Sequence, residues 1–217
     1  EEYTSSLKSE QKELTKKLNE LGEKIHKIRE EKGEELSNKI NQNLKDLEMK
    51  NAKVNIHVDY FENEYFENGK DRVIFYITTN VGEDEKELSK IASGGEMSRI
   101  MLAIKAVLAN SDDISVLIFD EIDTGISGKA ANSVAEKLNT IAKKHQVLCI
   151  SHLPNIAAVA DYHYFISKNI AHNRTSTSIK QLNEKEIIKE IARISSGEVN
   201  DITIKYAEKL RKKKITI

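Results

Sequence analysis

Apolar positions set two rhythms along the chain, and the change between them divides it. From residue 7 to 28, Leu7, Leu14, Leu18, Leu21, Ile25 and Ile28 recur in steps of three and four, with one heptad between the first two. Glu and Lys fill the positions between them. A narrow apolar seam on a charged helix is the pattern of a coiled coil rather than of a broad core-facing helix. The rhythm breaks near Gly33 and resumes with a slipped phase at Leu36, Ile40, Leu44 and Leu47, as at a stutter. Residues 1–50 therefore predict a helical arm.

The period shortens after residue 50. "VNIHVDYF" and "RVIFYITTNV" are rich in β-branched and aromatic residues, and "ENGKD" (67–71) between them has turn chemistry. Two or three antiparallel strands are expected over 53–81. A polar stretch, "GEDEKELSK", leads into "IASGGEMSRIMLAIKAVL". There Met97, Ile100, Met101, Ile104, Val107 and Leu108 stand at helical spacing. From Ile114 the order is strand, helix, strand, helix. "ISVLIF" and "QVLCIS" are continuous apolar runs, expected to be strands buried on both faces. "GKAANSVAEKLNTIAKKH" and "LPNIAAVA" are helical, the second with Pro154 near its start, where a missing N–H costs little. "HYFIS" and "TSTSIKQL" read as strands, and "EKEIIKEIARIS" and "ITIKYAEKLRKK" as closing helices. The alternation predicts an α/β fold with a partly parallel sheet flanked by helices. The expected domains are the arm, 1–50, and a lobe, 51–217.

Composition narrows the function classes. Hydrophobic residues are 39% of the 217, enough for a core, and charged residues are 32%, in keeping with a solvated arm. The net charge of −1 gives no argument for nucleic-acid binding. The basic run "KLRKKK" (209–214) reads as a solvated helix end. One cysteine, Cys149, excludes a disulfide within the chain and suits a reducing compartment. No apolar run approaches the roughly 20 residues that span a membrane.

Three short motifs carry chemistry. "SGGE", Ser93 to Glu96, precedes a helix, where free N–H groups and the helix dipole make an anion site; the plainer alternative is an N-cap and a tight turn. "VLIFDEIDTG" places Asp120 and Glu121 at the exit of a buried strand, the edge where α/β folds bind ligands. Asp120 suits Mg²⁺, which takes oxygen ligands and keeps waters. Glu121, expected to point the other way along the pleat, suits a general base. "CISHLP" sets Ser151 and His152 at the next strand exit, where a histidine can bond a phosphate oxygen or be a strand-end residue bonded to the backbone. The other histidines have no metal-site spacing.

Taken in this order, "SGGE", "VLIFDE" and "ISH" resemble the signature motif, Walker B strand and switch histidine of the ATP-binding-cassette superfamily. The strings "LSKIASGGEMSRIMLAIK", "FDEIDTGISGKAA" and "ISHLPNIAAVADYHYFISK" are similar to the RecN family of bacterial SMC-like DNA repair proteins, closely over about 70–210. The resemblance implies the C-terminal lobe of an ABC/SMC-like ATPase head, using ATP and Mg²⁺ in the cytoplasm, on the nucleoid, with no membrane contact. It implies that Ser93, Gly94, Gly95 and Glu96 meet the γ-phosphate of ATP on the opposite head of a dimer. Asp120 would serve Mg²⁺ and Glu121 would be the base. Asp123 to Ser127 would form the D-loop facing the partner head, and His152 would be the switch histidine. Ser127 stands where transporters of the superfamily usually carry Asp.

One element is missing. No strand–GxxxxGK[ST]–helix unit exists in the sequence, and "SGKAA" (127–131) lacks the first glycine at the needed spacing. In SMC-like proteins that loop lies in an N-terminal lobe, separated by a coiled coil. The start on Glu1, the arm and the missing loop then share one explanation: the C-terminal half of a head, with the returning end of its coiled coil. The expected partners are the N-terminal half, a second head in an ATP-dependent homodimer, and DNA through the intact protein. Alone, the chain is expected to be inactive. Two other readings stay open: a head lobe of another SMC-like ATPase, and a non-hydrolysing structural or DNA-binding module of ABC shape.

Overall fold

The computed structural model describes residues 2–80, 82–91, 94–109, 111, 113–171 and 174–213. The chain forms two compact units, Glu1–Lys45 with Met49–Ala92, and Asp46–Glu48 with Ser93–Ile217.

The first unit is one long helix and a small antiparallel sheet. Helix α1, Glu2–Asp46, has 45 residues, about 68 Å at the rise of an α-helix. It runs unbroken through Gly33, where the apolar rhythm slips phase. The slip is a change of surroundings. Leu7, Leu14, Leu18, Leu21 and Ile28 are exposed, whereas Ser37, Ile40 and Leu44 are buried. Gly33 lies over the sheet: a β-carbon there would make an ordinary contact, 3.4 Å from Ile56 Cγ2. Strands β1 (Lys53–Tyr60), β2 (Asp71–Thr78) and β3 (Lys86–Glu87) form an antiparallel sheet in that order. Asn41 clamps the start of β1, accepting from Val54 N–H at 2.7 Å and donating to Val54 O at 2.9 Å. Ser37 Oγ donates to the same carbonyl at 2.6 Å.

The β1–β2 connection is longer than the "ENGKD" turn suggests, spanning residues 61–70. It lies along the helix. Lys70 Nζ donates to Asn19 Oδ1 at 2.8 Å and to Glu62 O at 2.5 Å, beside the rings of Tyr60 and Tyr65. Its stem fills a notch at Gly22, where a β-carbon would come within 2.8 Å of Lys70 Cγ and Cδ. The buried carboxylate of Asp71 takes a hydrogen bond from Arg29 and faces His26 Nδ1 at 3.4 Å.

The second unit is α/β. Its elements are α2 (Gly95–Leu108), β4 (Val116–Phe119), α3 (Gly128–Ala142), β5 (Gln146–Cys149), α4 (Pro154–Val159), β6 (Tyr164–Ala171), β7 (Arg174–Gln181), α5 (Glu184–Ser196) and α6 (Asp201–Lys213). β4 and β5 pair in parallel, with Ile118 opposite Leu148. β6 and β7 form a separate antiparallel hairpin. Helices α4, α5 and α6 close a cluster of Ala158, Ile187, Ile191, Ala192, Ala207 and Leu210. Asn183 and Glu186 form a reciprocal capping box at the start of α5. Arg211, inside the basic run, is not simply solvated: it donates to Ala158 O at 3.0 Å and Ala160 O at 2.5 Å, capping α4.

The parallel strands are buried on one face only, unlike the sequence expectation. Leu117 and Phe119 are buried, but Ile118 is 68% exposed, and Val116, Leu148 and Ile150 are exposed with it. Strand pattern alone does not tell a strand covered twice from one whose second cover is absent.

Candidate functional site

The N-cap of α2 is Gly94, extended at φ 174° and ψ 174°, and as a glycine it brings no capping side chain of its own. First-turn N–H groups and the helix dipole favour an anion there. Among the described residues, nothing lies within 4 Å of the place of a β-carbon on Gly94. Glu96 is exposed in the first turn, and Ser93 lies outside the described residues.

Behind that start, α2 is seated on the turn that follows β4. Gly95 allows the approach: a β-carbon would meet Glu121 O and Thr124 Cβ, each at 2.8 Å. Ser98 Oγ donates to Asp120 O at 2.7 Å. The buried Arg99 guanidinium donates through Nη1 to Thr124 O at 2.9 Å. Burial pushes its pKa below the ordinary arginine value, against the opposing pull of Glu96. Helix start and turn are thereby held as one piece.

Asp120 and Glu121 both lie beyond β4, which ends at Phe119. Their directions are therefore not set by the pleat, as the sequence reading supposed. Glu121 adopts the left-handed conformation, φ 55°, uncommon for a residue with a side chain. Both residues are exposed, and Asp120 Oδ1 accepts from Glu121 N–H at 2.9 Å. Among the described residues, no three His, Cys, Asp or Glu side chains converge as a metal cage. A single exposed carboxylate suits Mg²⁺ held together with phosphate and water.

Asp123 is turned inward, only 2% exposed. Its Oδ2 accepts from Ser151 Oγ at 2.6 Å and from His152 N–H at 2.7 Å, and faces His152 Nδ1 at 3.1 Å. Leu153 N–H in turn donates to Ser151 Oγ at 3.1 Å. The exits of β4 and β5 are thus tied through one carboxylate. The His152 side chain stays 72% exposed. Burial, helped by the charges of Asp123 and Asp120, pushes the Cys149 thiol up to about 12. Ser127, the N-cap of α3, is exposed and makes no side-chain cap.

Two structural partners of this site were not singled out by motif. Arg99 and Ser98 follow "SGGEM" directly. Gly95, Arg99 and Ala103 recur every fourth residue and are all buried. A charged residue on the buried face of an apolar helix was the available signal.

Among curated proteins, the chain is similar to DNA repair protein RecN of Bacillus subtilis, 49% identical over 147 residues, covering 67% of this chain and 26% of that protein. It is 43% identical over 189 residues to RecN of Halalkalibacterium halodurans, covering 84% of this chain and 33% of that protein. RecN of Vibrio cholerae is 35% identical over 211 residues, covering 97% of this chain and 38% of that protein. The chain thus spans roughly a quarter to two fifths of the relatives it matches. No family model matches it. Among solved structures it resembles the Smc head domain with a coiled coil and joint from Pyrococcus yayanosii, with TM-score 0.60 and 16% identity, covering 88% of this chain and 35% of that one. The Smc head with an extended coiled coil from Pyrococcus furiosus gives TM-score 0.55 and 18% identity, covering 88% and 46%. These likenesses show a shared fold.

Proposed function

Since the chain belongs to the RecN family of SMC-like proteins, we propose that it is the C-terminal half of an ATPase head acting in DNA double-strand-break repair and recombination. In this reading 1–50 is the returning end of a coiled coil and 51–217 is the lobe. The lobe gives a composite ATP site its signature motif (Ser93 to Glu96), Walker B pair and switch histidine. The phosphate-cradling loop comes from the N-terminal half, and a second, identical head closes the site. DNA is engaged by the intact protein, in the cytoplasm on the nucleoid. Among the described residues no helix is long and apolar enough to cross a membrane.

The observation that carries this reading is the joining of three motifs within one unit. The start of α2 rests on the Asp120–Thr124 turn, and that turn holds His152 through Asp123. An anion site, a Mg²⁺ ligand, a candidate base and a histidine then border one edge. Bound Mg²⁺ would supply charge neutralisation for the phosphates. The chain's own residues have separate parts. Asp120 would hold the metal, Glu121 would accept the proton of the attacking water, and the α2 start, with the Ser93 hydroxyl, would hold the γ-phosphate of the opposite head. The exposed seam of α1 and the open face of β4–β5 support the missing partners: an outgoing helix for one, the N-terminal lobe for the other.

The test is Glu121→Gln in the intact protein, which keeps shape and hydrogen bonding but removes the basicity. ATP binding should persist while turnover falls by roughly 10²-fold or more. Undiminished turnover would take the role of base from Glu121.

A further inference from the structure

Asp123 differs from its two acidic neighbours. Asp120 and Glu121 face solvent, whereas the Asp123 side chain is 3% exposed. A buried carboxylate is stable only when donors surround it. Three groups converge on its Oδ2: Ser151 Oγ, His152 N–H and His152 Nδ1. Among the described residues no lysine or arginine forms an ion pair with it. An oxygen that already accepts from Ser151 Oγ and His152 N–H meets Nδ1, 3.1 Å away, favourably when Nδ1 is the nitrogen that carries the hydrogen. The other nitrogen, Nε2, is then the one left to meet a ligand, as a lone pair in the neutral ring and as an N–H donor in the protonated ring.

We infer that Asp123 is a positioning residue for His152: it fixes the tautomer and direction of the ring so that Nε2 serves the site. This rests on the proposed role of His152 in ATP hydrolysis. It gives Asp123 a task within its own chain rather than toward a partner head. It also couples the segment after β4 to the segment after β5, because one oxygen accepts from the Ser151 hydroxyl and the His152 backbone N–H and lies 3.1 Å from the His152 ring nitrogen Nδ1. A displacement of the Asp123–Ser127 loop would therefore turn the histidine.

The experiment uses the intact protein with ¹⁵N-labelled histidine, its His152 ring signal assigned by loss in His152→Ala. The unmodified protein should show neutral His152 as the Nδ1–H tautomer. An Nε2–H tautomer there would overturn the inference without recourse to any variant. Asp123→Asn keeps an acceptor oxygen but loses the charge. It should mix the tautomers and slow ATP turnover by roughly 10- to 100-fold, with ATP affinity unchanged. Asp123→Asn with His152→Ala should be no slower than His152→Ala alone. Multiplying effects would show that Asp123 acts independently of the ring and would sink the inference. Absence of ATP turnover in the unmodified protein would reject the proposed function instead, and the ring spectrum would still decide the part played by Asp123.

Discussion

Gly95 and Glu121 stand so close that no side chain fits between them: a β-carbon on Gly95 would lie 2.8 Å from the Glu121 carbonyl oxygen. The obstacle is backbone on one side and Thr124 Cβ, also at 2.8 Å, on the other, so neither can swing away. Gly95→Ala should push α2 off the turn and destabilise the chain by about 1–3 kcal/mol. Gly94→Ala, with no described residue within 4 Å of the new β-carbon, should fold with unchanged stability. Urea unfolding of the two variants checks this. Equal stability would mean that the helix start is not seated as described.

The two glycines of α1 should respond in opposite directions. Alanine gains about 1 kcal/mol over glycine inside a helix. At Gly33 the new β-carbon would make an ordinary contact, 3.4 Å from Ile56 Cγ2, so most of that gain should appear as added stability. At Gly22 it would collide with Lys70, whose ammonium is pinned by Asn19 and Glu62. Gly22→Ala should therefore destabilise by about 1–2 kcal/mol. In a Lys70→Ala background it should instead stabilise. A loss of the same size in both backgrounds would contradict the notch.

Motif chemistry was more legible than geometry. Alternation and helical spacing located the strands and helices because each period reflects a local burial pattern. The phase slip at Gly33 was visible but its cause was not, since a missing side chain does not name Ile56 as the neighbour it faces. Asp120 and Glu121 were chosen by residue type, yet their directions follow from a left-handed residue after the strand, which no pattern announces. Arg99 escaped because its acceptors, the backbone carbonyls near residue 124, carry no sequence signal. The one-sided burial of β4 was equally hidden, since Ile118 is apolar whether or not something covers it.

Cys149 should be a poor nucleophile. Its thiol is pushed from 9.0 up to about 12, chiefly by burial, then by the carboxylates of Asp123 and Asp120. At pH 8 the folded chain then holds roughly 10³-fold less thiolate than an unfolded one, and thiolate is the reactive form. Iodoacetamide should label the unfolded chain at least ~100-fold faster. The linked stability has a definite sign. Between pH 9 and 12 the unfolded state sheds this proton first, so stability should fall as pH rises through that window.

The 217-residue chain by itself should not bind Mg-ATP tightly. A triphosphate needs several N–H donors and a lysine in one nest, and no GxxxxGK[ST] string supplies them here. One exposed helix start contributes about 0.3–1 kcal/mol, against the roughly 4 kcal/mol that a millimolar Kd requires. Titration calorimetry should detect nothing tighter than millimolar. A micromolar Kd would reveal a nucleotide site elsewhere in the chain and end the half-head reading.

The open face of β4–β5 gives the sharpest test of that reading. Parallel sheets normally have both faces covered, because their connections lay helices on each side. Here Leu117 and Phe119 face a core, while Ile118, 68% exposed, and its cross-strand neighbour Leu148, 45% exposed, face solvent. An isoleucine that is already in water loses little when shortened. In the 217-residue chain, Ile118→Ala should change stability by less than about 0.5 kcal/mol. In the intact protein, if the N-terminal lobe covers this face, the same change empties a core position and should cost about 2–4 kcal/mol. The comparison isolates the cover, because the residue, its strand and its neighbours are common to both molecules. A small effect in both would show that nothing in the intact protein lies on Ile118. A cost in the isolated chain that grows with its concentration would assign the face to a contact between copies, through the mass action that stabilises any associated state.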